Sequence, residues 1–369
     1  MIIGINLVFL YEITGIGVYV RNLLENFGKI DEEDKFVIFV NKKAPSEIFF
    51  NFPNFYYFKI PIDPQNYLLR IFCEQIILPF LSLKYKIDVL FTPAVFSPYF
   101  CFCKKVTTIH DILYLNDKRL NLKNLYLKFI TSAAIRSDKI ITISNFAKND
   151  ILEKFNIKNK ISVIYEAAKI FILKNHKNTI EKFNIKNPYF FYIGLIVPHK
   201  NIERMLRAFK IFSEKYKDIN FILAGPERKK LLDLDLLIKN LSLRERVKYL
   251  GIVNEEEKFA LYHNALAFIF LSLHEGFGLP ILEAQSSGVP VLASNLTAIP
   301  EIAGNSVLYV DPYDIEDIVR GMEKIAFDEK LREDLIKKGY ENIKRFSWER
   351  AAKETLRVLK EVYENSSNK

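Results

Sequence analysis

The sequence predicts an α/β protein made of two doubly wound domains in tandem, and three observations carry that prediction. The chain has 369 residues, too many for one ordinary core. Short β-rich runs alternate with longer helical patterns, and the alternation occurs twice, on either side of a stretch rich in Lys and Asn. The strand-like runs are continuously apolar, the pattern of a parallel sheet covered on both faces.

In the first half, Ile2–Asn6, Lys35–Val40, Asp88–Phe91, Val106–Ile109, Lys139–Ile143 and Ile161–Ile164 read as strands, because β-branched and aromatic residues dominate them. Helical spacing of apolar residues marks Gly17–Phe27, Leu122–Arg136 and Asn145–Phe155. Tyr67–Tyr85 also offers an apolar helical face, interrupted by Pro79, and reads as a helix turned toward the core.

The second half repeats the plan. Its strands are Tyr189–Ile193, Asn220–Ala224, Val247–Tyr249, Ala267–Phe270, Val289–Leu292 and Val307–Val310. Its helices fit Ile202–Tyr216, Glu227–Asn240, Glu255–Tyr262, Leu282–Ser286 and Ile315–Phe327. The expected division is an N-terminal domain over 1–170, a linker over 171–188 and a C-terminal domain over 189–369, with the last helix packing back on the first domain. A cleft is expected between the domains, with ligands at the carboxyl ends of the sheets.

Composition excludes several classes. Hydrophobic residues make up 50% and charged residues 26%, a globular balance, and only the tail Asn365–Lys369 reads as disordered. The net charge of +9 is uneven: residues 1–180 carry 24 Lys and Arg against 16 Asp and Glu, and residues 181–369 carry 29 against 28. A basic first half suits anionic lipid, nucleic acid or a phosphorylated acceptor, and equally a solvated lysine-rich surface. Cys73, Cys101 and Cys103 lack metal or redox spacing and read as buried reduced thiols.

The N-terminal MIIGINLVFL has no basic leader and reads as a strand. No apolar run approaches the ~18 residues that span a bilayer, so membrane contact would be peripheral. The expected location is cytoplasmic, with peripheral contact at the inner face of the membrane through the basic domain.

The segment Leu271–Pro290, LSLHEGFGLPILEAQSSGVP, carries the chemistry. It follows an apolar strand, passes through a glycine-containing turn and opens a helix near Pro280. Amides of such a turn and the helix N-terminus form an anion site suited to a diphosphate. Glu283, within the helix, can accept hydrogen bonds from vicinal ribose hydroxyls. Glu275, at the strand end, faces whatever the diphosphate carries. Turn glycines and surface glutamates are the plain alternative, which leaves the acid at the strand terminus unexplained.

This segment resembles the signature of the retaining glycosyltransferases of group one, or glycosyltransferase family four, whose GT-B fold has two Rossmann-like domains. E-G-F-G-L-P, the second glutamate and G-V-P-V-L-A-S carry the match. Similarity extends to Tyr192–Asn201 (YIGLIVPHKN), Phe221–Pro226 (FILAGP), and Asn295–Gly304 with Leu308–Pro312. In the first half, Thr14–Tyr19 (TGIGVY), His110-Asp111 and Ile141–Ile151 also match.

The resemblance implies residue roles. Glu283 would bind the donor ribose, and Glu275 with the backbone of Phe277, Gly278 and Leu279 would hold sugar and phosphates. Lys200, beside His199, would pair with the diphosphate and offset charge on the leaving group. Gly15, with Gly17, would let the first loop approach the donor phosphate. His110 would reach the transferred sugar. The catalytic set is thus His110, Glu275 and Lys200. No metal and no cofactor are expected, since Lys200, loop amides and helix dipoles can serve the diphosphate. The partners implied are a nucleotide-sugar donor and a glycan or lipid-linked acceptor, with no nucleic acid.

The resemblance also implies transfer with retention of configuration, by departure and attack on one face of the sugar. TGIG and PHKN look more like the mannosyl-transferring branch, which favours GDP-mannose over UDP-sugars. Two departures stand out: His199 and Leu195 occupy positions where members carry arginine, so fewer fixed charges would face the diphosphate.

Three rival readings follow from the same residues. A nucleotide-sugar epimerase could share this architecture and would convert the donor with no acceptor. A nicotinamide enzyme is disfavoured, because TGIGVYVRN lacks the third glycine and the strand FVIFV ends at Asn41, not at an acid. A nucleic-acid-binding protein would suit the basic half but leave Glu275 and Glu283 without a role.

Overall fold

The computed structural model describes residues 1–13, 15–116, 122–157, 160–169 and 181–367. The chain divides into two compact units, Met1–Glu166 with Ser347–Lys369, and Ala167–Phe346. Each is a doubly wound, Rossmann-like α/β unit.

In the first unit the strands are β1 (Ile2–Leu7), β2 (Lys35–Asn41), β3 (Phe55–Ile60), β4 (Val89–Thr92), β5 (Lys104–Thr108), β6 (Lys139–Thr142) and β7 (Ile161–Val163). Among the described residues they form one parallel sheet in the order β3-β2-β1-β4-β5-β6-β7. The second unit's strands are β8 (Tyr189–Ile193), β9 (Asn220–Ala224), β10 (Val247–Tyr249), β11 (Ala267–Phe270), β12 (Val291–Ser294) and β13 (Leu308–Val310). Their order, β10-β9-β8-β11-β12-β13, is parallel throughout. In each sheet the order reverses beside the first strand, between β1 and β4 and between β8 and β11. Loops leaving the strands at such a point diverge and leave a crevice for a ligand.

The helices are α1 (Gly15–Ile30), α2 (Tyr67–Phe72), α3 (Leu78–Lys84), α4 (Leu122–Ile135), α5 (Asn145–Lys154), α6 (Ile202–Lys215), α7 (Leu234–Asn240), α8 (Glu255–His263), α9 (Leu279–Ser286), α10 (Ile299–Ala303), α11 (Ile315–Phe327), α12 (Glu329–Ile343) and α13 (Trp348–Ser367). A π-helical segment, Cys73–Ile77, joins α2 to α3. The second sheet owes its cohesion to strands buried on both faces. Tyr189, Phe190, Phe191 and Tyr192 are all inaccessible, and Phe190 meets Phe209, Phe212 and Phe221. Each such side chain contributes roughly 1.5–3 kcal/mol when fully buried.

Helix α13 belongs to the first unit, packing on α1 and on β4, β5 and β6. Trp348 lies 6.1 Å from the ring of Tyr19, and Lys360 pairs with Asp31 and Asp34 at 3.0 and 3.1 Å. Of the stretch read as a linker, residues 171–180 lie outside the described residues. Residues 181–188 belong with the second unit, where Phe183 and Ile185 pack against its core.

Four expectations need correction. Strand β3 was not anticipated, nor was α12, and no bounds were expected for the last helix, α13. The helix expected over Glu227–Asn240 begins only at Leu234, because Asp233 caps it and Glu227 forms an isolated bridge with Ile196 in the loop after β8. Tyr67–Lys84 is helical, with Pro79 tolerated in the first turn of α3. It does not turn its whole apolar surface inward, since Leu68, Phe72, Ile76, Phe80 and Leu83 are exposed. The three cysteines are unpaired as thiols, but only Cys73 is buried, while Cys101 and Cys103 are half-buried with sulfurs 3.3 Å apart.

Candidate functional site

The second unit gathers its chemistry at the carboxyl ends of β8 and β11, where the sheet order reverses. β8 leads through Gly194 into a short 3₁₀ turn, Pro198–Lys200, and Asn201 in left-handed conformation opens α6. β11 leads through Leu271–Phe277 into α9, whose N-terminal cap is Gly278 at φ +113°. That φ suits glycine, and Pro280 then sits in the first helical turn, where its missing N–H costs nothing.

The two loops are tied together. The Leu273 amide donates to the His199 carbonyl at 2.8 Å. Lys200 Nζ lies 2.5 Å from Glu275 Oε1, with both side chains largely shielded. The Glu275 amide donates to Thr297 Oγ1 at 3.1 Å, which fixes the acid from its backbone. Glu275 stands in the loop, five residues beyond β11, not at the strand terminus expected from sequence. Burial raises the pKa of Tyr192 well above its ordinary value, and the nearby Glu275 carboxylate adds to the effect.

Behind these loops the backbones of β8 and β9 come close. Gly225, at φ +115°, would place a Cβ 2.2 Å from the Gly194 carbonyl oxygen. FILAGP therefore carries glycine at position 225 because its neighbour's backbone fills the side-chain position.

Glu283 lies in α9, and its Oε1 is 2.5 Å from Lys258 Nζ. The Tyr262 hydroxyl donates to its Oε2 at 3.4 Å and to the Pro280 carbonyl at 3.3 Å. Lys258 and Tyr262 come from α8, whose start is set by a capping box between Asn254 and Glu257. Tyr262 has its pKa raised by burial and further by Glu283, so it remains a hydroxyl donor at neutral pH. Each of the two acids of the motif is thus matched by a lysine, Glu275 by Lys200 and Glu283 by Lys258.

His110, Gly15 and Gly17 belong to the first unit. His110 follows β5. Its Nδ1 lies 3.3 Å from Glu166 Oε1, its Nε2 lies 3.1 Å from the Pro93 carbonyl, and its ring meets the edge of Tyr19 at 4.8 Å. Burial alone would lower its pKa. The Glu166 carboxylate, the Pro93 carbonyl and Asp111 outweigh that effect, so the net shift is upward. Gly15, the first residue of α1, is exposed, and a Cβ there would have open space around it within 4 Å. Gly17 is buried, and its missing Cβ makes room for the Glu12 carbonyl oxygen, which would stand 2.8 Å away. Asn41 Nδ2 donates to the carbonyls of Val8 and Leu10, holding the loop before α1.

Sequence reasoning missed Glu166, Lys258 and Tyr262. Glu166 stands alone before a polar stretch, and no spacing links it to His110. Lys258 lies in EEEK, which reads as a solvated helix face. Among the described residues no cluster of three or more His, Cys, Asp or Glu is placed to hold a metal, and no helix is long and apolar enough to cross a membrane.

Comparison with known proteins agrees with this geometry. The family profile described as Glycosyl transferases group 1 matches residues 174–342, and that described as Glycosyltransferase Family 4 matches residues 13–168. O-antigen chain mannosyltransferase B of Escherichia coli is 32% identical over 70% of this chain and 70% of its own length. O-antigen chain mannosyltransferase RfbU of Salmonella typhimurium is 31% identical, but the match covers 56% of each chain, so this sequence spans only about half the length of that relative. The match to serotype-specific mannosyltransferase WbdA covers 32% of that protein.

Among solved structures, sucrose-phosphate synthase of Thermosynechococcus elongatus superposes with a TM-score of 0.79 at 19% identity, covering 99% of both chains. HepE of Anabaena, in complex with UDP and glucose, gives 0.75 at 16% identity, covering 97% of this chain and 99% of its own. At such identities these two share the fold alone. The two profiles and the O-antigen relatives go further: the chain belongs to the group 1, family 4 glycosyltransferases, with mannosyltransferases among its relatives.

Proposed function

We propose that the protein transfers a hexosyl group from a nucleotide-sugar, GDP-mannose in first place, to a glycan or lipid-linked acceptor, with retention of anomeric configuration. One observation carries this reading. The glycine turn at the carboxyl end of β11 is flanked by Glu275 and Glu283, and Lys200 from the neighbouring loop reaches Glu275. The mannosyltransferases among the matched relatives support mannose as the sugar.

Glu283 receives the ribose hydroxyls, with Lys258 and Tyr262 holding its carboxylate in place. The diphosphate lies against the amides of Phe277, Gly278 and Leu279 at the start of α9. Lys200, placed beside Glu275, neutralises the charge that grows on the diphosphate as the glycosidic bond breaks. Glu275 faces the transferred hexose and keeps Lys200 oriented. In the first unit, Glu166 holds the His110 ring through Nδ1, and His110 keeps the role toward the transferred sugar that the family resemblance implies. The acceptor hydroxyl attacks the face from which the diphosphate departs, which retains configuration. These residues supply the positive charge that the diphosphate needs, and we expect activity to survive EDTA.

The first unit binds the acceptor in this reading, and the basic balance of residues 1–180 favours an anionic one. The work would take place in the cytoplasm, at the inner face of the membrane.

A thermal-shift panel of GDP-, UDP-, ADP- and dTDP-sugars tests the donor, because a ligand that binds only the folded state raises the melting temperature. GDP-mannose should give the largest shift. A larger shift with a UDP-sugar would replace the base assignment, and no shift with any member would remove the donor site. Product from GDP-α-mannose should carry an α-linkage by NMR, and a β-linked product would refute retention.

A further inference from the structure

We propose that the exposed face of the Tyr67–Lys84 helical run, with the loop at Phe100–Phe102 and the outer face of α4, docks into the interfacial layer of an anionic lipid bilayer. The observation is an inversion of the usual helix pattern. In a soluble protein the solvent side of a helix is polar. Here the exposed positions from Leu68 to Leu83 are Leu68, Leu69, Phe72, Ile76, Phe80 and Leu83, each a large apolar side chain. The charged residues of the run up to Leu83, Arg70 and Glu74, are instead buried and face each other at 3.7 Å.

The apolar face extends beyond the helix. Phe102 lies 5.8 Å from Phe80 and 5.1 Å from Phe100, and Phe102, Phe80 and Phe100 are 50%, 60% and 62% exposed respectively. Tyr99 stacks on Phe129 of α4 at 5.8 Å, and Leu125 one turn earlier is also exposed. Isolated exposed apolar residues need no explanation, but a contiguous patch of this size marks an interaction surface.

Charge identifies the occupant. Around this face the exposed ionic side chains are Lys84, Lys86, Lys128 and Arg136, the last set over the Tyr99 ring at 4.8 Å. The nearby acids are engaged: Asp88 accepts from the Ile2 amide, and Asp138 pairs with Lys104. A face of Leu, Ile, Phe and Tyr with a basic rim suits the headgroup and upper acyl region of a bilayer containing anionic lipid. Phe72, Ile76 and Phe80, spaced four residues apart, are all exposed across the π-helical segment that joins α2 to α3. This extends the transferase reading by naming where a lipid-linked acceptor would be met, and it rests on that reading only for its purpose.

Sedimentation of the full chain with vesicles tests it. Wild type should pellet with phosphatidylglycerol-containing vesicles at low salt, and less with pure phosphatidylcholine or at high salt. The triple variant Leu68→Ser, Phe72→Ser, Phe80→Ser should lose at least about tenfold in partitioning, since its contact is mainly apolar. Lys84→Glu with Arg136→Glu should weaken binding to the anionic vesicles alone. All these positions are exposed, and unchanged melting curves would show that the variants fold. Wild type that stays in solution with either vesicle, or a triple variant that binds as well as wild type, would overturn the proposal. A concentration-dependent dimer abolished by the triple variant, without vesicle binding, would also overturn it and assign the face to a second copy. Calorimetry with GDP-mannose on the same samples separates the two readings: vesicle binding without donor binding would sink the donor assignment and leave this surface standing.

Discussion

At the residue scale, the proposed site consists of charges fixed by partners. Lys200 with Glu275 and Lys258 with Glu283 are short pairs on neighbouring loops and helices. Part of this was legible: Glu275 and Glu283 announce themselves through their motif and Lys200 through the family resemblance, whereas Lys258 and Glu166 meet their partners only through the fold. The His110–Glu166 pair makes a direct prediction. The histidine's folded pKa lies above its ordinary value of about 6.5. Its contribution to stability is therefore full below the unfolded value and is lost as pH rises through the raised one. NMR titration of the His110 ring should show the raised pKa in wild type and a lower one in Glu166→Gln. An unchanged titration in the variant would show that Glu166 does not govern His110.

At the element scale, sequence located every described strand except β3 within about two residues, the edge strands β7 and β10 included, and most plainly β8 and β11, which are buried on both faces. Their continuous apolar runs leave no other reading. β3 escaped because FYYFKI lies at the sheet edge with Tyr56 exposed, and the prolines of NFPN and IPI flank it like a loop. The inward reading of Tyr67–Tyr85 failed for a different reason: periodicity reveals an apolar face but not what covers it. The glycines at the strand ends give a graded test. Gly225→Ala adds a backbone clash to an unfavourable φ, while Gly278→Ala makes only ordinary contacts, with Ile281 Cδ1 at 3.5 Å and Phe270 Cε1 at 3.9 Å, and keeps just the φ strain, worth about 1–3 kcal/mol. In urea, Gly225→Ala should therefore unfold at the lower midpoint. Equal midpoints would show that the β8 and β9 ends can part cheaply.

At the scale of the whole molecule, two doubly wound units were readable because the alternation of strand and helix repeats along the chain. That α13 belongs with the first unit follows from packing by Trp348 and Lys360 rather than from any local pattern. The division of charge, basic in the first half and nearly balanced in the second, fits a chain whose halves meet different partners. The central claim is that the second unit holds a nucleotide-sugar through Glu283, and calorimetric titration of wild type and Glu283→Gln with GDP-mannose tests it most directly. The amide keeps the shape of the side chain but weakens charge-assisted hydrogen bonds to the ribose. Affinity should fall at least about tenfold, equivalent to ~1.4 kcal/mol, in a variant that melts like wild type. Equal affinity in the two folded proteins would contradict the claim.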